Sequence, residues 1–155
     1  VIEKTSKVGQ KLRIAERFSY LATCPKKNVG VYIEDEHGKS IGGGYNGAPA
    51  GFQHCDVTGC KEIDNHCTNA VHAEINGILN GDIERMREGT MFLYGAFPCY
   101  RCAQAIVTVK IKYLYTTIQP HPHIASLGWT ADLTQDQKRG YEILSKGQVI
   151  IENRV

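Results

Sequence analysis

This chain has no apolar run long enough to span a bilayer, and no signal-peptide pattern opens it. Neither sign of charge dominates: 18 Lys and Arg stand against 16 Asp and Glu, for a net charge of +2. That balance, with no basic, aromatic-studded tail, argues against a strongly electrostatic nucleic-acid binder. There is no internal repeat and no low-complexity tract. The expectations are therefore no membrane partner, no nucleic-acid partner and a cytoplasmic location. What is present is an ordinary globular composition, 42% hydrophobic and 22% charged, in 155 residues. A chain of that length fits one domain, 1–155, with a real hydrophobic core.

Cysteine is the informative count: six, at 24, 55, 60, 67, 99 and 102. An even number could form three disulfides in a secreted domain. A chain this size does not need such staples, however, and Cys99-x-x-Cys102 has metal-ligand spacing. Reduced, zinc-binding cysteines are the better reading.

Leu12, Ile14, Ala15, Phe18, Leu21 and Ala22 recur at helical spacing, which predicts an amphipathic N-terminal helix broken by Cys24-Pro25. Val29 to Ile33 reads as a buried strand. Asp35 to Lys39 reads as a hairpin turn, and a second strand runs from Ser40 into Gly42-Gly43-Gly44-Tyr45-Asn46-Gly47, where the glycines end regular pairing. Ala48 to Asn69 is one long irregular stretch holding His54, Cys55, Cys60, His66 and Cys67. A loop of this length is uncommon in a small domain unless it is functional or pinned, and metal is the obvious pin. A helix follows, with Val71, Ile75, Ile78 and Leu79 on one face and Asn80-Gly81 as its stop. Thr90 to Ala96 predicts a third strand. Pro98 opens a helix whose packed side carries Ala103, Ile106, Val107 and the stem of Lys110. Tyr113 to Thr117 predicts a fourth strand, Thr134 to Lys146 a helix and Gln148 to Ile151 a last strand. Alternating strands and helices argue for an α/β sandwich around one mostly buried sheet.

Two short motifs carry chemistry: His72-Ala73-Glu74 and Pro98-Cys99-Tyr100-Arg101-Cys102. Two thiolates and one imidazole leave a tetrahedral zinc with an open position, the catalytic rather than the structural arrangement. A zinc of that kind acidifies water toward neutral pH. Cys99 and Cys102, at i and i+3, share one side of a helix start, where the dipole favours thiolates. A C-x-x-C with a distant His also builds closed structural sites. Glu74, spaced to sit near the metal without ligating it, favours the catalytic reading. The two-part pattern is the signature of a zinc-dependent base deaminase. Glu74 would take a proton from water, protonate the ring nitrogen and deliver a proton to the departing ammonia.

The whole chain resembles the deoxycytidylate (dCMP) deaminases of the cytidine deaminase superfamily. The resemblance rests on Cys24 with Val29-Gly30, Gly44-Tyr45-Asn46-Gly47-Ala48-Pro49-Ala50-Gly51, His54-Cys55, Asn65-His66-Cys67, His72-Ala73-Glu74 and Pro98-Cys99-x-x-Cys102-Ala103, in that order. It implies a three-layer α/β/α sandwich around a mixed, about five-stranded sheet. It also implies hydrolysis of dCMP to dUMP with release of ammonia, in pyrimidine deoxynucleotide metabolism. A homo-oligomer, perhaps a hexamer, is implied too, with dCTP as activator, dTTP as inhibitor and Mg2+ accompanying the effector. Glu74 is then the catalytic residue and His72, Cys99 and Cys102 hold the catalytic zinc. Asn46, Ala73, His121 and Lys27 are implied as substrate contacts. Family members can carry a second, structural zinc, for which Cys24, Cys55, Cys60 and Cys67 are the ligand set, with His54 and His66 as alternates.

The chain departs from the family around the pocket. Thr68-Asn69-Ala70 stands where an Arg is usual, so a phosphate contact would come from Lys26, Lys27 or Arg101. Pro120-His121-Pro122 stands where a Tyr usually stacks on the base, leaving that role to His121 or Trp129. Gly95-Ala96-Phe97 replaces the commoner Thr-containing stretch. These changes keep a 5-substituted dCMP open as an alternative substrate, ahead of a tRNA or other nucleic-acid base and of a catalytically silent nucleotide-binding module.

Overall fold

A computed structural model describes residues 6–118 and 133–152. Along the chain come α1 (Lys7–Ser19), β1 (Gly30–Glu34), β2 (Ser40–Tyr45), the short α2 (Cys55–Thr58), β3 (Glu62–Ile63) and β4 (His66–Cys67). Then follow α3 (Ala73–Leu79), a 3-10 turn (Ile83–Met86), β5 (Thr90–Tyr94), α4 (Tyr100–Thr108), β6 (Tyr113–Thr116), α5 (Gln135–Lys146) and β7 (Ile150–Glu152). The two longest helices, α1 and α5, start where the sequence offers a cap. Ser6 Oγ accepts from the Gly9 N–H at 3.1 Å, and Thr134 and Gln137 form a reciprocal capping box on α5.

Five strands make one mixed sheet in the order β2-β1-β5-β6-β7. β1 runs antiparallel to both β2 and β5, whereas β5, β6 and β7 are parallel. The parallel pairs need crossovers, and α4 and α5 supply them. Asp35 ties the β1–β2 hairpin, its Oδ1 accepting from the His37 and Lys39 N–H groups at 2.9 and 2.8 Å.

Strand alternation divides the sheet into two faces. Val31, Ile33, Met91, Leu93 and Leu114 pack against Ile78, Ala103, Ile106 and Leu144 of α3, α4 and α5. The opposite face presents Tyr32, Phe92 and Tyr115 to Leu12 and Ala15 of α1, with the Phe92 and Tyr115 rings stacked 5.3 Å apart. The result is the expected three-layer α/β/α sandwich. Among the described residues no helix is long and apolar enough to cross a membrane.

Several details differ from the sequence reading. The stretch 48–69 is not wholly irregular: it contains α2 and the β3–β4 hairpin, turned by Asp64 and Asn65 at φ 50° and 65°. Leu79 is 66% exposed, because α3 is only two turns long and its last residue swings out past the core. Lys110 lies beyond the end of α4 at φ 64° and is exposed, so it does not continue that helix's buried face. The stretches Gln119-Pro120-His121-Pro122-His123 and Ala125 to Trp129 lie outside the described residues.

Candidate active site

Two helix starts meet at the sheet. His72 is the N-cap of α3 and Glu74 its second residue; Cys99 is the N-cap of α4 and Cys102 its third residue. His72 Nδ1 lies 3.6 Å from Cys99 Sγ and 3.4 Å from Cys102 Sγ, and the three donor atoms all fall within 4.8 Å of one another. Cys102 is buried, Cys99 half-buried and His72 exposed at the rim. The Glu74 carboxyl is buried beside them. An imidazole nitrogen aimed between two thiols is a donor set that suits zinc with one position left open.

Glycine brings α3 close enough to put these groups together. A Cβ on Gly44 would lie 2.6 Å from the Gly77 nitrogen, and one on Gly77 would lie 2.4 Å from Val31 Cγ2. Strand and helix therefore touch backbone to backbone. Asn76 Nδ2 adds a hydrogen bond to the Tyr45 carbonyl at 2.8 Å. Just before His72, Val71 and Gly47 exchange backbone bonds of 2.9 and 3.2 Å and close the base of the loop between them.

The electrostatics follow from burial and proximity. Burial raises the Glu74 pKa and outweighs the opposing pull of its own backbone N–H and of His72. A cation among the neighbouring donors would draw it back down, leaving a carboxyl able to take and return a proton. Hydrogen bonding from Cys102, helped by His72, lowers the Cys99 thiol to about 3. Cys102 is pushed up by that same thiolate, by burial and by Glu74. His72 is raised, chiefly by its bond to Cys99. The site thus gathers three acidic groups around a single imidazole, of which Cys99 holds the charge while Glu74 and Cys102 are pushed toward their neutral forms, and a cation is what would let all three ionise.

A cavity of about 280 Å³ opens over Glu74. Asn46, Ala73 and Lys27 line it, together with Phe97 and, from α5, Asp136 and Gln137. His121 lies outside the described residues. The α5 contribution escapes sequence reasoning, since Asp136 is far along the chain from Glu74. The Thr134 to Gln137 capping signature marks only where that helix starts. Asp136 binds His66 Nε2 at 2.7 Å, and Lys26 pairs with Glu62; the two contacts tie the loop 48–69 to the rest of the molecule. Arg101 lies in a neighbouring cavity, over the Tyr100 ring and bonded to its hydroxyl.

A second thiol cluster sits in that loop. The sulfurs of Cys55, Cys60 and Cys67 lie within 4.8 Å of one another. Burial pushes Cys55 up to about 12 and raises Cys60. For Cys67 the Asn69 and Ala70 N–H groups outweigh burial and lower it. Cys24 is near enough to act electrostatically on Cys60 but lies outside this tight group. The alternates are engaged elsewhere: His54 Nδ1 with Thr23 Oγ1 at 2.8 Å, and His66 with Asp136.

Comparison with known proteins gives a consistent result. The family described as "Cytidine and deoxycytidylate deaminase zinc-binding region" matches residues 5–118. ComE operon protein 2 of Bacillus subtilis is 35% identical over 119 residues, 75% of this chain and 62% of that protein. A probable deoxycytidylate deaminase of Caenorhabditis elegans is 34% identical over 106 residues, covering 67% of this chain and 53% of that one. The deoxycytidylate deaminase of Mycobacterium phage D29 is 33% identical over 112 residues, 65% of this chain and 86% of its own. The chain thus spans little more than half the length of the first two relatives. The same fold is seen in the dCMP deaminase of cyanophage S-TIM5 in complex with dCMP and dUMP. That chain has a TM-score of 0.67 and 21% identity, over 97% of this chain and 100% of the other.

Proposed function

The chain belongs to the cytidine and deoxycytidylate deaminase zinc-binding family, and from that premise we propose that it hydrolyses dCMP to dUMP and ammonia. The observation that carries this reading is Glu74, buried beside the convergent His72, Cys99 and Cys102 and facing a cavity of nucleotide-base size.

His72, Cys99 and Cys102 would hold the catalytic zinc. When bound, that ion supplies the Lewis acidity that makes water a usable nucleophile near neutral pH. The chain's own part is proton transfer and exclusion of solvent. Glu74 accepts a proton from the attacking water and gives it to the ring nitrogen next to the amine-bearing carbon. It then carries the second proton to the leaving amine, so water and dCMP leave as dUMP and ammonia. A raised pKa suits that two-way traffic, because a carboxyl that holds a proton too weakly cannot return it. Ala73, fully buried at the helix start, forms a wall on the base side of the cavity.

Cys55, Cys60 and Cys67, with Cys24 beside them, would hold a second, structural zinc that pins the loop. A homo-oligomer, regulation by dCTP and dTTP with Mg2+, and a cytoplasmic location belong to the same proposal by family resemblance.

The test is an ammonia-release panel of dCMP, dCTP, deoxycytidine, CMP and a 5-substituted dCMP, run on wild type and Glu74→Gln. dCMP should be the best substrate. The variant should keep its zinc and lose about 10²- to 10⁴-fold in turnover, the usual worth of a general acid–base. Wild-type rates in the variant would remove Glu74 from the mechanism, and preference for the 5-substituted nucleotide would change the substrate.

A further inference from the structure

Of the two thiols at the site, only Cys102 lies within the turns of α4, where it is fully buried. Cys99 precedes them in extended conformation, φ −69° and ψ 172°, and is half-buried. Its place therefore depends on the strap that leads up to it, Gly95-Ala96-Phe97-Pro98.

That strap is gripped at successive peptide units. Thr117 Oγ1 accepts from the Gly95 N–H at 3.0 Å, and Thr116 Oγ1 donates to the Ala96 carbonyl at 2.8 Å. The Phe97 carbonyl accepts from Gln137 Nε2 at 3.2 Å. Pro98 faces Gly140, where a Cβ would lie 2.2 Å from the Pro98 oxygen and 3.0 Å from the Cys99 carbonyl carbon. Another side of the strap leans on residues 27–29: a Cβ on Gly95 would lie 2.6 Å from the Asn28 carbonyl oxygen. Asn46 fixes that segment, its Oδ1 accepting from the Val29 N–H at 2.8 Å and its Nδ2 donating to the Lys27 carbonyl at 2.7 Å.

Two of these supports, Gln137 and Gly140, come from one face of α5, at i and i+3. Gln137 uses the two ends of its amide for different purposes. Oε1 accepts from the Thr134 N–H at 3.0 Å and closes the capping box, while Nε2 reaches across to the strap. The first contact serves the helix; the second joins the helix to the metal donors.

We propose that Gln137 is a positioning residue for the metal centre: it fixes the Phe97 peptide and through it the Cys99 thiol. The α5 helix thereby governs how firmly His72, Cys99 and Cys102 hold their ion and how well the site is aligned for turnover. The proposal rests on the deaminase reading and adds to it a residue outside both motifs.

The test compares Gln137→Glu and Gln137→Leu in the full chain. Glutamate keeps an acceptor for the Thr134 N–H but has no donor for Phe97; leucine keeps neither. The urea midpoint should stay near wild type in Gln137→Glu and fall in Gln137→Leu. Both variants should nevertheless release zinc from the His72, Cys99 and Cys102 site to a chromogenic chelator about tenfold faster. That is the low end of what an outer-shell partner contributes, as suits a contact two peptide units before the thiol. The ion belonging to this site is the one that Cys99→Ser lacks. With cobalt(II) in place of zinc, the sulfur-to-metal absorption band should weaken or shift in both variants. The kcat for dCMP should fall about tenfold in both, with little change in KM for Gln137→Leu. Leucine adds no charge, so a loss common to both variants is not repulsion of an anionic substrate. Should Gln137→Leu not fold, Gln137→Glu decides. Wild-type zinc release and cobalt spectrum in Gln137→Glu would leave a capping role only and overturn the proposal. A fall in kcat with both metal readouts unchanged would place Gln137 against the substrate and overturn it equally. If wild type releases no ammonia from any substrate, the deaminase reading fails by itself, and zinc release and the cobalt spectrum still decide the role of Gln137.

Discussion

Substituting Gly44 by Ala tests the claim that a backbone-to-backbone contact aims the catalytic carboxyl. The new Cβ would sit 2.6 Å from the Gly77 nitrogen and 3.0 Å from Gly77 Cα and the Asn76 carbonyl carbon. All three are main-chain atoms, so no rotamer change relieves the clash. Ordinary contact begins near 3.4 Å, so α3 must retreat by about 0.8 Å. Overpacking of this kind costs about 1–3 kcal/mol, and an unyielding backbone neighbour places it near the top of that range. Replacing a strand glycine by alanine returns roughly 0.5–1 kcal/mol. The net loss should be about 2 kcal/mol, read as a lower urea midpoint with an unchanged slope. Activity should suffer more than stability, because α3 carries Glu74 and a displacement of about 1 Å can cost roughly 10²-fold in rate. Gly43→Ala is the control: its Cβ meets the ring of Phe18 at 2.4 Å on the opposite face, and that half-buried side chain can swing aside. Gly43→Ala should keep its kcat. A fully active Gly44→Ala, or an equal loss of kcat in both variants, would show that the contact between β2 and α3 does not aim Glu74.

Leu144→Ala, at a fully buried position in α5, should cost about 2–5 kcal/mol in denaturant unfolding. Fully loaded protein should contain two zinc ions per chain by metal analysis, and Cys60→Ser should lose one of them while Glu74-dependent turnover persists at low temperature; a count of one in active wild type removes the second site. The Asp35 carboxyl is held below its ordinary pKa by the Lys39 N–H first, then by the Arg85 guanidinium and the His37 N–H, against its burial. Its stabilisation is therefore complete above the unfolded carboxylate pKa and disappears as pH falls through the lower folded value. The stability gap between wild type and Asp35→Asn should shrink across that acid range, and a gap independent of pH would show that the carboxylate charge contributes nothing.

What could be read from the sequence was what depends on local spacing. His72 and Glu74 flank a helix start, and Cys99 and Cys102 share one turn, so the four fall together once two helix ends meet. The order of strands and helices was likewise legible, because alternation and capping act over a few residues. What escaped depends on distant partners or on length. Leu79 has the right periodicity but stands at the end of a helix too short to bury it. Lys110 follows a helix that stops at Thr108. The β3–β4 hairpin did have a signal in Asp64-Asn65, two residues that tolerate positive φ. The Asp136–His66 contact had none, since it joins a helix and a loop separated by most of the catalytic motif. Asn46 shows the sharper limit: the sequence marks the residue, but only the fold shows what each end of its amide holds.

The backbone pair between Gly47 and Val71 gives the loop it closes an independence of its own. Strand β2 hands over to α3 across a single rung, so the spacing from Tyr45 to His72 does not depend on how far the chain travels in between. Residues 48–70 behave as a cassette with a fixed socket. Changing its length alters closure entropy only slowly, by roughly 0.6 kcal/mol per doubling. A shorter or differently stapled insert seated in that socket would leave His72 and Glu74 where they are, while replacing the stretch's own contribution to the cavity wall: Asn65, His66, Cys67 and Ala70.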